Sequence, residues 1–382
     1  MKLEQKRWNK NEKWSPSIKS SLADKAELVF IFGETSLLKE GNLLRELKEI
    51  YPRAHQFGCS TSGEIYGTSV SDDSLSTVAI HFENTKIKHA QIHMKSVKDS
   101  HEAGCKLANS LDHKGLTHVL VFSVGLNVNG SEIVKGLASI LPAHVSITGG
   151  LAGDKDRFQE TLVISNEAPS NDMIAVVGLY GKNIKVGSAS LGGWDPFGPE
   201  RLITKAKGNI LYELDGKSAL QLYKSYLGKH AEGLPGSALL FPLCMRTVDN
   251  EKAIVRTILA VDEKEQSMTF AGDITEGAYA RLMKANFDRL IDGAKGAAEN
   301  SASKAPEFAL LISCVGRKLV LKQRVEEEVE SVRKIFGDKT ILTGFYSYGE
   351  ISPFTPQAKC ELHNQTMTIT TLSEDVNGQK AA

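Results

Sequence analysis

Apolar runs of strand length alternate with amphipathic stretches along the chain, and one order of elements recurs. In its first appearance, an apolar run at 27–33 (ELVFIFG) predicts a strand and 43–50 predicts an amphipathic helix. Residues 76–82 (STVAIHF) predict a further strand. The apolar positions of the predicted helix fall on one face: Leu43, Leu47 and Ile50. Between this helix and the last strand lies HQFGCSTSGEI, a small-residue segment that contains an acid.

The second unit repeats this order. Residues 118–125 (HVLVFSVG) predict a strand, and 131–141 predict a helix with Ser131 as its N-cap. The buried face of that helix is expected to comprise Ile133, Val134, Leu137 and Leu141. SITGGLAGD at 146–154 takes the place of the small-residue segment, and TLVIS at 161–165 is the predicted closing strand.

The third unit has strand patterns at 308–316 (FALLISCVG), 341–351 (ILTGFYSYGEI) and 366–372 (TMTITTL). A helix is predicted at 325–336, with an apolar stripe of Val325, Val329, Val332 and Phe336. A fragmentary fourth copy is predicted from 237–244 and 267–274.

The repeated unit is therefore strand, helix, strand, small-residue turn, acid and strand. Its turns read GCSTSGE, TGGLAGD and GFYSYGE, each closed by a glycine and an acid. Glycine turns are common alone, but three at equivalent places in a repeat are a specific signal. The pattern predicts an α/β fold of two domains, with mixed sheets flanked by helices.

The remaining segments fit around these units. Helices are predicted at 100–111, at 218–228 with Gly228 as the C-cap, and at 277–300 as one long element. Its apolar side comprises Tyr279, Leu282, Met283, Phe287, Leu290 and Ile291. Residues 254–270 predict two strands joined by a charged turn, 232–238 (EGLPGSA) a domain boundary, and 301–306 a short flexible connection.

Composition excludes several classes of protein. Lys plus Arg and Asp plus Glu are both 46, so the net formal charge is zero, which argues against a general nucleic-acid binder. No apolar run reaches the length of a membrane span, and the basic N-terminus lacks the apolar core of a secretory signal. The five dispersed cysteines, without metal-ligand spacing, predict reduced thiols and a cytoplasmic location: Cys59, Cys105, Cys244, Cys314 and Cys360.

Three stretches carry a family resemblance: GCSTSGEI, ITGGLAGD, and the C-terminal run ISCVGR, EEEVESV, GFYSYGEISP and LHNQTMTI. Together they resemble a FIST protein. The resemblance implies an N-terminal FIST domain over 27–222 and a C-terminal FIST domain over 223–370. Residues 1–26 would form an N-terminal extension, and 371–382 a flexible tail.

This resemblance implies a sensory protein that binds a small polar ligand, with amino acids as the usual suggestion for the family. Many members carry kinase, cyclase or chemotaxis output domains, whereas the two FIST domains use up this chain. The signal is therefore expected to pass to a separate partner protein or through self-association into a homo-oligomer. The resemblance supplies no catalytic residues and implies no cofactor.

The glycine–acid turns suit such a ligand chemically. Backbone N–H groups of a glycine-rich turn can hold a carboxylate, and an acid can pair with an ammonium. The residues predicted to contact the ligand are Cys59, Ser60, Thr61, Ser62, Glu64, Gly149, Gly150, Asp154, Tyr346, Ser347, Tyr348 and Glu350. The alternative is that the acids only cap backbone N–H groups of their own turns.

Two arginines extend the predicted ligand site. Arg246 and Arg317 both follow apolar strands, where a guanidinium can clamp a carboxylate, although a structural role is the alternative for each. The turn at 192–198 (GGWDPFG) offers Trp194 and Phe197 as a lid, an interface patch or a packed turn. His363 is expected to be a hydrogen-bonded strand residue.

Enzymatic alternatives have less support. Cys59 or Ser60 would be the nucleophile, but G-C-S-T-S-G does not match the nucleophile-elbow spacing. A phosphate loop would carry Lys after the second glycine, where this chain has Glu64. A magnesium site shared by Glu64 and Glu350 is a further alternative, and a protein-binding scaffold is the main non-enzymatic one.

Overall fold

The computed structural model describes residues 1–247, 250–301, 305–353 and 358–375, with the backbone alone at 247 and 250–252. Its α-helices are α1 Thr35–Glu40, α2 Asn42–Ile50, α3 Ser100–Ser110, α4 Gly130–Ile140, α5 Ala219–Leu227, α6 Phe287–Asn300, α7 Val315–Leu321 and α8 Val325–Phe336. Short 3₁₀ turns occupy Met94–Ser96, Gly228–Gly233, Gly236–Leu240 and Lys322–Arg324.

The strands, in chain order, are β1 Lys2–Asn9, β2 Lys13–Ser15, β3 Leu28–Gly33, β4 His55–Ser60, β5 Glu64–Tyr66, β6 Ser69–Ser71, β7 Leu75–His81, β8 Lys86–His93, β9 Leu116–Ser123, β10 Ser146–Leu151, β11 Val163–Ser165, β12 Met173–Tyr180, β13 Ile184–Leu191, β14 Asp195–Lys207, β15 Ile210–Leu214, β16 Lys217–Ser218, β17 Leu243–Thr247, β18 Asn250–Arg256, β19 Ile258–Asp262, β20 Ser267–Phe270, β21 Tyr279–Lys284, β22 Phe308–Cys314, β23 Ile341–Ser347, β24 Gly349–Pro353, β25 Cys360–His363 and β26 Met367–Glu374.

Three six-stranded sheets share one plan. Their orders are β2-β1-β7-β3-β4-β11, β8-β12-β9-β10-β24-β25 and β13-β26-β22-β23-β5-β6. At the centre of each lies a parallel pair joined by a helical crossover: β3 with β4, β9 with β10, and β22 with β23. An antiparallel strand follows beside the first of each pair. The predicted sequence repeat is therefore a structural repeat, and the mixed α/β class is confirmed.

The units exchange strands at their glycine–acid turns. After β4 the chain leaves its own sheet, and β5 pairs with β23 of the third unit. Likewise β11 of the second unit pairs with β4, and β24 of the third unit pairs with β10. The exchange is cyclic, so each turn crosses from one sheet to the next.

This exchange corrects the prediction for the second unit. TLVIS at 161–165 supplies β11, which belongs to the first unit's sheet, and the closing strand of the second unit is β12. The sequence analysis assigned no element to 173–180, although this fully apolar run forms β12. The helix α4 begins one residue earlier than predicted, and Asn129 rather than Ser131 is its N-cap.

The first glycine of each exchange turn is required by close strand packing. Gly58, Gly149 and Gly344 pair with Ile31, Val121 and Leu311 of the neighbouring parallel strand. A Cβ atom at these glycines would lie 1.8, 1.8 and 1.7 Å from the carbonyl oxygens of those partners. Real Cβ atoms never approach so closely, so the three glycines serve the fold whether or not a ligand is bound.

Aromatic side chains from all three sheets meet in a shared core. Phe57 stacks on Phe122 at 4.5 Å between ring centroids, and Phe32 stacks on Phe345 at 4.9 Å. Phe30 lies between Phe32 and Phe308 in the same cluster. Because each unit contributes rings, this core couples the three units into one folded body.

A fourth sheet, named the small sheet below, has eight strands in the order β18-β17-β21-β14-β15-β20-β19, with β16 beside β15. It takes strands from both sides of the boundary predicted at 222/223, and α5 packs on it. The predicted long helix at 277–300 is wrong over its first part, where β21 pairs with both β14 and β17. The helix α6 starts only at Phe287, after Asn286 as its N-cap.

The segments at 2–9 and 367–374 both join the sheets. β1 lies inside the segment predicted as an extension, and it pairs with β7 along seven residues from Lys2 to Trp8. β26 runs to Glu374, so the first residues of the predicted flexible tail belong to the third unit's sheet. Residues 376–382 of that tail, and 302–304 of the predicted connection, lie outside the described residues.

Candidate functional site

The three glycine–acid turns converge at one end of the shared core. The N–H of Ser62 donates to the carbonyl of Tyr346 at 2.8 Å, and the N–H of Tyr346 donates back to Gly63 at 2.9 Å. The second turn joins the first through the N–H of Gly153, which donates to Ser60 at 3.0 Å. Sequence alone left this convergence undetermined, and the strand exchange produces it.

Glu64 points into the protein rather than towards solvent. It is 1% exposed, and Thr61 Oγ1 donates to its carboxyl group together with the backbone N–H and the hydroxyl of Ser74. Burial outweighs these hydrogen bonds and raises the pKa of Glu64 to about 7. The carboxyl group therefore joins the turn to the start of β7.

Glu350 occupies the same place in the third unit and is 0% exposed. Ser347 Oγ donates to it at 2.6 Å, and the hydroxyl and N–H of Thr366 donate at 3.0 and 3.3 Å. Burial raises its pKa to about 8, against the opposing effect of these donors. The donors repeat those of Glu64, a serine or threonine three residues before the acid and one at the start of the closing strand.

Asp154 closes the second turn with different partners. Its carboxylate accepts from three consecutive backbone N–H groups, those of Phe158, Gln159 and Glu160, at 2.9 to 3.0 Å. Tyr348 of the third turn donates its hydroxyl to the same carboxylate, and burial raises the pKa of that phenol. The acid thus organises its own loop, as the capping alternative expects.

Arg317 and Tyr346 share one buried carboxylate. Arg317 is 0% exposed, and its Nη2 lies 2.7 Å from Glu328 Oε2. The same guanidinium donates to the carbonyls of Gly192 and Leu290, and Tyr346 donates its hydroxyl to Glu328 at 2.6 Å. All the guanidinium nitrogens are engaged within the protein.

The other residues of the first two turns are also enclosed. Cys59 lies in the aromatic core, and burial raises the pKa of its thiol. Ser60 Oγ donates to Gly153 and accepts the N–H of Leu162, both at 2.8 Å. Gly150 is paired between Phe122 and Glu350 within its sheet.

Three further candidates lie away from the turns. Arg246 forms a two-pronged ion pair with Glu200 on the small sheet, at 2.9 and 2.7 Å. Trp194 is buried and donates to the carbonyl of Gln365, so 192–198 is a packed turn. His363 is buried in β25 and contacts the carbonyl of Ser352 at 2.7 Å.

A cavity away from the turns is a cleft of about 770 Å³. One wall is α4 and the loop that follows it to β10, and the opposite wall is the small sheet with Met245, Ile254 and Arg256. β25 forms the floor through Cys360 and Leu362. The volume falls in the range of small-molecule sites, about 300 to 1,000 Å³.

Arg256 is the most buried charge in this cleft, at 5% exposure. Its Nε donates to the carbonyl of Asp273 at 3.2 Å, and its Nη1 donates to the carbonyl of Leu362 at 2.9 Å. Burial lowers the pKa of the guanidinium to about 10. Across the cleft, Lys135 contacts the carboxylate of Asp273 at 2.9 Å.

Sequence analysis did not select any of these cleft residues as ligand contacts. A signal for Arg256 was present, because it interrupts the apolar run AIVRTILAV, where a cation needs a compensating partner. Lys135, Asp273 and Cys360 carried no such signal. They meet only because β25 and the small sheet fold against α4.

The described residues thus form a threefold strand-exchanged assembly with an added small sheet and a cleft of about 770 Å³. The family comparison is more specific: the FIST N domain matches residues 27–217 and the FIST C domain matches 219–353. The chain belongs to the FIST family. FIST domains are sensory domains of signal transduction.

An uncharacterized protein of Methanocaldococcus jannaschii is 24% identical over 351 residues, covering 84% of this chain and 66% of that protein. The match thus spans just under two thirds of the relative's length.

Among solved structures, cyanuric acid hydrolase from A. caulinodans aligns with a TM-score of 0.35 and 8% identity, covering 98% of this chain and 99% of that one. A chorismatase gives 0.33 and 8%, covering 97% and 98%. Scores of this size support no inference.

Within 1–247, 250–301, 305–353 and 358–375, no group of three or more His, Cys, Asp or Glu side chains is arranged to hold a metal ion. Within the same ranges, no helix has the length and apolar content needed to cross a membrane.

Proposed function

We propose that this chain is a sensor that binds a small metabolite in the cleft between α4 and the small sheet. The proposal rests on which segments of the chain form the two walls of the cleft. α4 and the loop after it lie in the segment matched by the FIST N domain, whereas Met245 and Arg256 lie in the segment matched by the FIST C domain. A bound ligand would contact both.

A ligand held between the FIST N and FIST C segments is well placed for signalling. A ligand shifts a conformational equilibrium only if it binds the two arrangements with unequal affinity. A compound that touches both walls favours the arrangement in which the walls are closest. We propose that a separate protein recognises this arrangement, and that the chain acts in the cytoplasm, where its five free cysteines remain reduced.

We place the ligand in the cleft rather than on the glycine–acid turns. The carboxyl groups of Glu64, Asp154 and Glu350 already accept three or four hydrogen bonds each inside the protein. An amino acid is the preferred ligand, because the cleft offers a guanidinium for its carboxylate and Asp273 near its ammonium.

A thermal-shift panel of amino acids, small organic acids and nucleotides tests this function. A ligand at a hundredfold excess over its Kd should stabilise the fold by about 2.7 kcal/mol, which raises the melting temperature by several degrees. Unchanged melting across the whole panel would remove the sensor proposal and favour the scaffold alternative.

A further inference from the structure

The cleft contains a buried cation, Arg256, whose charge is not neutralised by direct contact with any described side chain. Both hydrogen bonds of Arg256 given above go to neutral carbonyl groups, of Asp273 and Leu362. Among the described side chains, Arg256 forms no ion pair, and Glu361 and Asp273 act on it only at longer range. Burying a charge costs free energy unless a partner of opposite sign compensates for it.

The described residues that line the cleft carry a positive net charge, the same sign as that of Arg256. The described charged side chains that line the cleft are Lys135, Arg256, Lys359, Asp273 and Glu361. Three are basic and two are acidic, so the lining carries a net charge of +1 with His144 neutral. That balance is matched by a ligand with one negative charge.

A second polar group, the hydroxyl of Ser131, lies buried in the wall of the cleft with no partner among the described residues. Ser131 lines it at the first turn of α4 and is 8% exposed. Its Oγ has no hydrogen-bond partner among the residues that the structure describes. Buried hydroxyl groups are normally hydrogen-bonded, so this one has a free donor for a ligand oxygen.

The rest of the lining is largely apolar. Val134 and Leu141 on the helix side face Met245 and Ile254 on the sheet side, with Leu362 below. A ligand that places a charged group on Arg256 would lay an apolar body against these side chains. Such burial adds about 25 cal/mol for each Å² removed from water.

We propose that the ligand of this cleft is a small monocarboxylate with an apolar body, whose carboxylate is held by Arg256 and by the hydroxyl of Ser131. This inference rests on the proposed function and specifies its ligand class. The carboxylate supplies the negative charge that Arg256 lacks, and a guanidinium binds it with two parallel N–H donors or with one. An amino acid with an apolar side chain has the same carboxylate and apolar body, but its ammonium group makes its net charge zero.

Matched acid and amide probes test the inference on the unmodified chain. Isothermal titration should show that 3-phenylpropanoate binds about 10- to 100-fold more tightly than 3-phenylpropanamide, because the amide keeps the shape but lacks the charge. Phenylalanine and phenylalaninamide form a second pair, which reports on the ammonium. Equal affinity within both pairs would overturn the carboxylate assignment and leave the sensor proposal intact.

Two variants locate the effect. Arg256→Gln should abolish the preference for the acid, and Ser131→Ala, which leaves Arg256 and its two carbonyl contacts unchanged, should weaken acid binding severalfold. If Arg256→Gln does not fold, the Ser131→Ala result and the wild-type pair still decide the matter. An undiminished acid preference in Arg256→Gln would refute the role of Arg256. Binding of another panel compound, with none of the carboxylates bound, would refute the ligand class alone.

Discussion

The carboxyl group of Glu350 makes folding stability depend on pH in a calculable way. Burial raises its pKa from 4.5 to about 8 in the folded chain. Between these values the folded chain binds more protons than the unfolded chain, so stability falls as the pH rises through that window. With ~1.4 kcal/mol for each pKa unit, the penalty is about 2 kcal/mol near pH 6 and about 5 kcal/mol near pH 9.

Glu350→Gln removes the ionisable group and keeps the shape of the side chain. The free energy of unfolding of this variant, relative to wild type, should therefore rise by about 3 kcal/mol between pH 6 and pH 9. Urea denaturation at the two pH values measures the change. Glu263→Gln, in the exposed turn between β19 and β20, is the matched control and should show no such trend. A pH-independent difference between Glu350→Gln and wild type would refute the reasoning.

Other expected outcomes concern the converging turns. Arg317→Met should cost about 3–5 kcal/mol in chemical denaturation because it leaves Glu328 buried and unpaired, and a loss below about 1 kcal/mol would contradict that role. Gly344→Ala should lower the melting temperature or prevent folding, since its methyl group would collide with Leu311; wild-type stability would contradict the close approach. Iodoacetamide should modify Cys59 only in the unfolded protein, as mass spectrometry of tryptic peptides would show, and rapid labelling of the native chain would contradict its burial.

The repeat and most of its strands could be predicted from hydropathy because each central strand is buried on both faces and reads as a continuous apolar run. The exchange of strands between the units could not be predicted from hydropathy. TLVIS has the composition of a strand in either sheet, and only the packing of three units decides that it pairs with β4. The same limit applies to 277–284, whose helical spacing is overridden when β21 inserts between β14 and β17.

The candidate site, like the fold, could be predicted from the sequence only in part. The glycine–acid turns stood out because they recur, and their recurrence has a structural cause in the strand crossing and in the contact of Gly58, Gly149 and Gly344 with the neighbouring strand. Arg256 and Ser131 come from segments 125 residues apart, and no local pattern links them. Both line one cleft because the small sheet docks against α4, which sequence periodicity does not report.

We expect the ligand to bind in the cleft between α4 and the small sheet. Ala138 is exposed on α4 and lines this cleft, so Ala138→Trp fills it without entering the core, whereas Ser110→Trp changes an exposed position at the end of α3. The deciding measurement is the Kd of the tightest-binding panel compound by isothermal titration. We expect binding to be lost in Ala138→Trp and retained in Ser110→Trp; wild-type affinity in Ala138→Trp would contradict the account.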